Sequence, residues 1–185
     1  MAESRGLIFG DMKINLALVT RASFVAVLSA AASLAVFPSS ASAGAFPSQK
    51  FQIRTFAGQC LTGVDQNTGL GVVVTQGCRN GDTSQTFTWD TRTSHLQVSK
   101  FPAWCVTGES VPMTLEGDIL LAPCDPSHQY DQGWEQRPDA SRGVEIYNTL
   151  APDWHIEASS ASNGAPLLYS GAEKTNGSFF QIIPV

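Results

Sequence analysis

A chain of 185 residues with 16 acidic and 11 basic side chains has a formal net charge of −5. That balance repels phosphate backbones and anionic lipid surfaces, which argues against nucleic acid and against electrostatic membrane binding. With 16 glycines, 10 prolines and little helix-type periodicity beyond Ala43, the composition favours short strands and turns.

The first element is an export signal. Lys13 and Arg21 supply a positive flank, and Ala22 to Phe37 is an uncharged run of 16 residues. Such a run is short of the ~20 that a membrane-spanning helix needs. Pro38 breaks it, and Ala41-Ser42-Ala43 has the small residues a signal peptidase accepts. The chain therefore reads as a signal peptide over 1–43 and one exported, extracellular domain over 44–185, with no membrane span. That domain keeps 8 basic against 14 acidic residues.

Beyond the leader the chain repeats itself. A first opening, Gln59-Cys60-Leu61-Thr62-Gly63, leads to Val72-Val73-Val74, Cys78 and a closing Gln85-Thr86-Phe87. A second, Trp104-Cys105-Val106-Thr107-Gly108, leads to Ile119-Leu120-Leu121, Cys124 and Gln132-Gly133-Trp134. A third, Trp154-His155-Ile156-Glu157-Ala158, leads to Leu167-Leu168-Tyr169 and Ser178-Phe179-Phe180. The closings recur at intervals of 47 and 46 residues. An alternating strand precedes each opening, at Phe51/Ile53, Leu96/Val98 and Val144/Ile146. This predicts three repeats of about 46 residues, near 48–92, 93–139 and 140–185. No such unit can bury a hydrophobic face alone, but three around a pseudo-threefold axis can share one core. Phe87, Trp134 and Phe180 stand at equivalent places and are expected to fill it.

Four cysteines in an exported chain predict disulfides, and arithmetic alone leaves three pairings. Near-equal separations of 18 and 19 residues within the repeat select Cys60–Cys78 and Cys105–Cys124. Each would close a loop worth about 3 kcal/mol in the chain-entropy picture. The third unit carries His155 where its cysteine would stand, expected as a structural substitute. No Cys-x-x-Cys or His-Glu-x-x-His occurs, so neither a metal nor a cofactor is expected.

These openings, cysteines and Gln-x-Trp closings resemble those of the ricin B-type lectins, over essentially all of 44–185. The resemblance implies an all-β fold, the β-trefoil, as a single domain. It also implies a sugar site built from an Asp two residues after the opening cysteine, an aromatic two residues before the second cysteine, and a polar residue near Gln-x-Trp. Such a set suits a ligand with hydroxyls at its rim and C–H groups on one face. The first unit offers Thr62 and Gln76 at those places, and the second Thr107 and Ala122; neither suits a sugar. The third offers Glu157, Tyr169 and Asn176, and so becomes the candidate carbohydrate site. Asn176-Gly177-Ser178 is also a glycosylation sequon, though Asn-Gly equally marks a tight turn.

A narrower resemblance is to the lectin-like binding subunits of cytolethal distending toxins, on the Cys-Leu-Thr and Cys-Val-Thr openings and Leu121-Ala122-Pro123-Cys124. It implies a non-catalytic subunit that docks on a cell surface beside partner toxin subunits. Trp104 and Trp154, each just before an opening, would join Phe101 in an exposed aromatic patch. The chain has no Gly-x-Ser-x-Gly elbow and no phosphate-cradling glycine loop, and its three histidines are isolated in sequence. The sequence thus reads as a non-enzymatic binder of glycans or glycosylated cell-surface molecules. A protease-inhibiting trefoil acting through a loop near 107–117 is a third reading, without a positive signal.

Overall fold

The computed structural model describes residues 46–110 and 113–185, so the expected leader lies outside the described residues. Twelve strands carry the described residues: β1 (Phe51–Thr55), β2 (Cys60–Asp65), β3 (Gly71–Gln76), β4 (Phe87–Asp90), β5 (His95–Val98) and β6 (Phe101–Ser110), then β7 (Glu116–Pro123), β8 (Trp134–Asp139), β9 (Gly143–Asn148), β10 (His155–Ala158), β11 (Leu167–Ser170) and β12 (Phe179–Pro184). One helical turn, α1 (Gln129–Gln132), and two 3₁₀ turns, Thr83–Gln85 and Asn176–Ser178, are the only helical pieces among the described residues.

Six strands close on themselves. β1 pairs with β12 from Phe51↔Pro184 to Thr55↔Phe180, and with β4 at Phe51↔Phe87. β4 pairs with β5, β8 with β9, and β9 with β12. The seam between β5 and β8 is a single bridge, His95↔Gly133, beside the Trp134 N–H donated to the Ser94 carbonyl at 2.9 Å. A closed ring leaves no open sheet edge.

The other six strands form three hairpins, β2–β3, β6–β7 and β10–β11. They meet one another through β3–β7, β7–β11 and the bridge Val74↔Pro166. Alternation along the strands aims one set of side chains inward. Phe51, Phe87, Trp134 and Phe180 are all 0% exposed, packed with Leu61, Leu121 and Ile156 in one hydrophobic core. Trp134 also donates its indole N–H to the Val106 carbonyl at 2.8 Å, so its polar atom is satisfied inside the core. Disulfides join Cys60 to Cys78 and Cys105 to Cys124, tying the first two hairpins at their bases. The third hairpin has no such tie among the described residues.

Candidate functional site

Each hairpin ends against the short turn that precedes a ring strand, and what happens there differs between hairpins. At the first, Gln85 donates from Nε2 to Thr62 Oγ1 (3.1 Å) and the Gly77 carbonyl (2.9 Å), while its Oε1 accepts the Arg79 N–H (2.7 Å). At the second, Gln132 donates to Thr107 Oγ1 (3.1 Å) and the Pro123 carbonyl (3.0 Å), and accepts the Asp125 N–H (2.9 Å). The two glutamines make the same three bonds. Thr62 and Thr107 are thereby engaged inside the protein and buried, leaving little for a ligand.

At the third hairpin the shorter Ser178 stands in that place and cannot make the same span. Its Oγ accepts the Thr175 N–H at 3.1 Å and lies 3.0 Å from Nε2 of the fully buried His155. Burial pushes the His155 imidazole below the usual histidine range, against the pull of the Asp153 backbone and the carboxylates of Glu145 and Glu157. Nε2 and the serine hydroxyl share one hydrogen bond, whose donor is set by the ring tautomer. With the imidazole held neutral, the 3.7 Å approach of Nε2 to Glu157 is not an ion pair.

Glu157 is released by this exchange. Its side chain is only 13% exposed, and its Oε1 accepts the Thr175 hydroxyl. The Gly177 N–H is donated to Thr175 Oγ1 at 3.0 Å, which fixes the turn carrying Asn176. Gly177 is required there: a Cβ would stand 2.5 Å from the Ala158 carbonyl oxygen and 3.3 Å from Glu157 Cγ. Glu157, Thr175 and Asn176 line a cavity of ≈ 510 Å³ with Ser159 and Ser160, and Thr55, Phe56 and Ala57 close its far side. Phe56, 60% exposed at the turn after β1, is the aromatic ring of this cavity.

Tyr169 does not share it. The register of β10 and β11 sets Glu157 opposite Leu168 and Ile156 opposite Tyr169. Residues directly opposite point to the same face, so the pleat that turns Glu157 outward turns Tyr169 inward. Tyr169 is 4% exposed, edge-on to Trp134 at 5.8 Å and tilted against Trp154 at 4.7 Å. Of the expected triad, Glu157 and Asn176 line this cavity together with Phe56, while Tyr169 lines a different one. A large aromatic ahead of Gly58, whose φ is +84°, was the available signal, but nothing in the repeat alignment linked that turn to the third unit.

The aromatic patch is also divided. Phe101 stacks on Trp104 at 5.4 Å, whereas Trp154 packs on Tyr169 and against Gly171. All three rings are partly buried on the core. His95 brings a ring nitrogen within 4.8 Å of the sulfurs of Cys105 and Cys124, but the disulfide already consumes both sulfurs.

No family model matches the chain, and no curated protein sequence matches it. Solved structures do. The chain is similar to a mosquitocidal holotoxin (TM-score 0.64, 15% identity, 76% of this chain) but spans only 18% of that chain. It is similar to the ricin B-like lectin of Macrolepiota procera in complex with lactose (TM-score 0.60, 13% identity), covering 76% of this chain and 99% of the lectin. A designed threefold-symmetric protein, ThreeFoil, aligns with a TM-score of 0.60 and 13% identity over 74% of this chain and 99% of its own. At these identities the likeness is one of fold: the chain has the β-trefoil of the ricin B-type lectins.

Proposed function

We propose that this β-trefoil is a secreted, non-enzymatic glycan-binding protein whose site is the cleft of Glu157, Thr175, Asn176 and Phe56 beside the third hairpin. The observation that carries the reading is a mostly buried carboxylate that lines a cavity and receives one hydroxyl from the protein. A carboxylate has several acceptor positions, and sugar hydroxyls supply donors for those left over. Asn176 adds a carboxamide that donates and accepts, Ser159 and Ser160 add hydroxyls, and Phe56 offers a flat apolar face to pyranose C–H groups. Lactose in the similar lectin supports a saccharide as the ligand class.

The same proposal takes 1–43 as a cleaved leader and 48–92, 93–139 and 140–185 as three repeats. The fall of β1–β4, β5–β8 and β9–β12 within those bounds supports the three repeats. A glycan array probed with protein of verified fold tests the function. Binding to a defined saccharide set, lost in Glu157→Ala, is the expected result; a blank array would overturn it.

A second reading is a cell-surface-binding subunit of a secreted toxin, favoured by the likeness to part of a holotoxin. It predicts co-purification with a toxin component encoded nearby. The division of Phe101 and Trp104 from Trp154 takes away its continuous aromatic surface, so this reading too would act through the glycan cleft.

A further inference from the structure

A second cleft, of ≈ 420 Å³, opens beside the second hairpin, and none of its lining residues belongs to the glycan cleft. Gly108, Glu109, Tyr130, Asp131, Trp154 and Tyr169 are the lining groups that matter. Three aromatic rings converge there. Tyr130 is 76% exposed on α1, Trp154 is half-buried ahead of β10, and Tyr169 forms the floor from β11. Gly108 makes room for that floor, since a Cβ would lie 2.8 Å from the Tyr169 ring.

The walls are held by a fully buried residue. Asn148 donates from its Nδ2 to the Tyr130 carbonyl at 2.8 Å, and its Oδ1 accepts the N–H groups of Leu150 (2.9 Å) and Ala151 (3.0 Å). One side chain thus fixes α1 and the loop leading to Trp154 at a set spacing.

The charge in the cleft is one-sided. Glu109 and Asp131 both line it, and no basic side chain does among the described residues. Glu109 also stands directly opposite Asp118 across β6 and β7, a like-charge pair that costs stability unless a cation offsets it. Asp131 Oδ1 is buried without a hydrogen-bond partner among the described residues, while Oδ2 lies 3.5 Å from Nδ1 of His128, an exposed ring outside the cleft. The negative field reaches the floor: burial first, then the Asp131 charge, push the Tyr169 hydroxyl up to about 12.

We propose that this cleft is a second ligand site, taking a quaternary or tertiary ammonium group. Such a cation has no N–H to donate or only one, so it is poorly served by hydrogen bonds and well served by ring faces and nearby carboxylates. The donors in the lining are the hydroxyls of Ser110, Tyr130 and Tyr169 and the indole N–H of Trp154, and no carboxamide or basic side chain stands among its described residues, a balance of two full negative charges and rings that favours a cation over a neutral polyol. A phosphate beside the ammonium would meet Glu109 and Asp131, so the expected ligand bears no adjacent anion. This site is independent of the glycan reading.

The test titrates the purified protein calorimetrically with choline, with phosphocholine, and with 3,3-dimethylbutan-1-ol, which has the shape of choline without its charge. Choline is expected to saturate, the neutral alcohol to bind about tenfold more weakly, and phosphocholine to bind more weakly than choline. Asp131→Asn and Tyr130→Ala, the latter at an exposed ring, should each weaken choline severalfold while leaving the melting curve and glycan-array pattern unchanged. Equal binding of choline and the alcohol, no choline binding by folded protein, or wild-type binding by both variants would overturn the site. So would lactose displacing choline in a manner lost with Asp131→Asn, which would make the cleft a saccharide subsite. Loss of array binding with choline binding intact would count against the glycan reading alone.

Discussion

The clefts beside the second and third hairpins occupy matching places: the end of a hairpin strand, the turn before a ring strand, and a loop leading into the next hairpin. Their chemistry diverges. The cleft at the third hairpin holds one carboxylate among hydroxyls and a carboxamide, with a single exposed ring, Phe56. The cleft at the second holds two carboxylates under three rings, with hydroxyls but no carboxamide among its described lining residues. The residue that decides between them lies behind the surface. Gln132 spends its amide on Thr107, whereas Ser178 is too short to engage Glu157 and is held by His155 instead. One scaffold thus presents different surfaces because the polar clasp beneath each hairpin can be rebuilt without disturbing the ring.

The largest effect should come from attacking what the clefts share. Trp134→Ala removes a fully buried ring and leaves the Val106 carbonyl without its donor, so urea melts should show a loss of about 3–5 kcal/mol. Its ring also supports Tyr169, so choline binding should suffer along with fold. A loss below about 1 kcal/mol would mean that the centre repacks.

Glu157→Ala divides the clefts instead. It removes a charge-assisted acceptor worth roughly 1.5–3 kcal/mol, so glycan affinity should fall at least about tenfold with choline binding unchanged. Isothermal titration of both ligands would show whether the two losses separate.

Acid should press on the third hairpin's clasp. Burial lowers the pKa of His155, and of His95 likewise, so the unfolded chain binds these protons more readily than the folded one. Their contribution to stability is complete above the unfolded value of about 6.5 and is lost as the pH falls through the lower folded values. Melting temperature should therefore drop between about pH 7 and pH 5, less steeply in His155→Gln than in the natural chain. A flat profile would mean that His155 is not held neutral.

The smallest effect concerns Phe56. Its ring is 60% exposed and lies outside the hydrophobic core, so Phe56→Ala should change stability by less than about 0.5 kcal/mol. Loss of a stacking face worth about 0.5–1.5 kcal/mol should weaken glycan binding severalfold.

How much of this was legible beforehand follows from where the information lies. Phe87, Trp134 and Phe180 were readable as core because the closing tripeptide recurs at a near-constant interval, and a recurring large apolar residue must be buried somewhere common. The face of Tyr169 was not readable. With neither cysteine present to pin the third hairpin, a shift of one residue in register exchanges inside for outside, and spacing alone cannot settle a shift of one. Phe56 was missed for another reason: pairing of β1 with β12 brings a turn from the start of the domain against its last hairpin. The second cleft draws on α1, β6, β11 and the loop before β10, residues more than fifty positions apart that no single motif contains.

The covalent ties of the cap are also unevenly shared. The first two hairpins are stapled, while β10–β11 rests on packing and on the His155–Ser178 contact. It should breathe on its own at a cost well below that of melting the barrel. Backbone amides over 155–170 should then trade protons with solvent sooner than their counterparts in the stapled hairpins. A saccharide resting on Glu157 would slow them, and so act as the missing clamp.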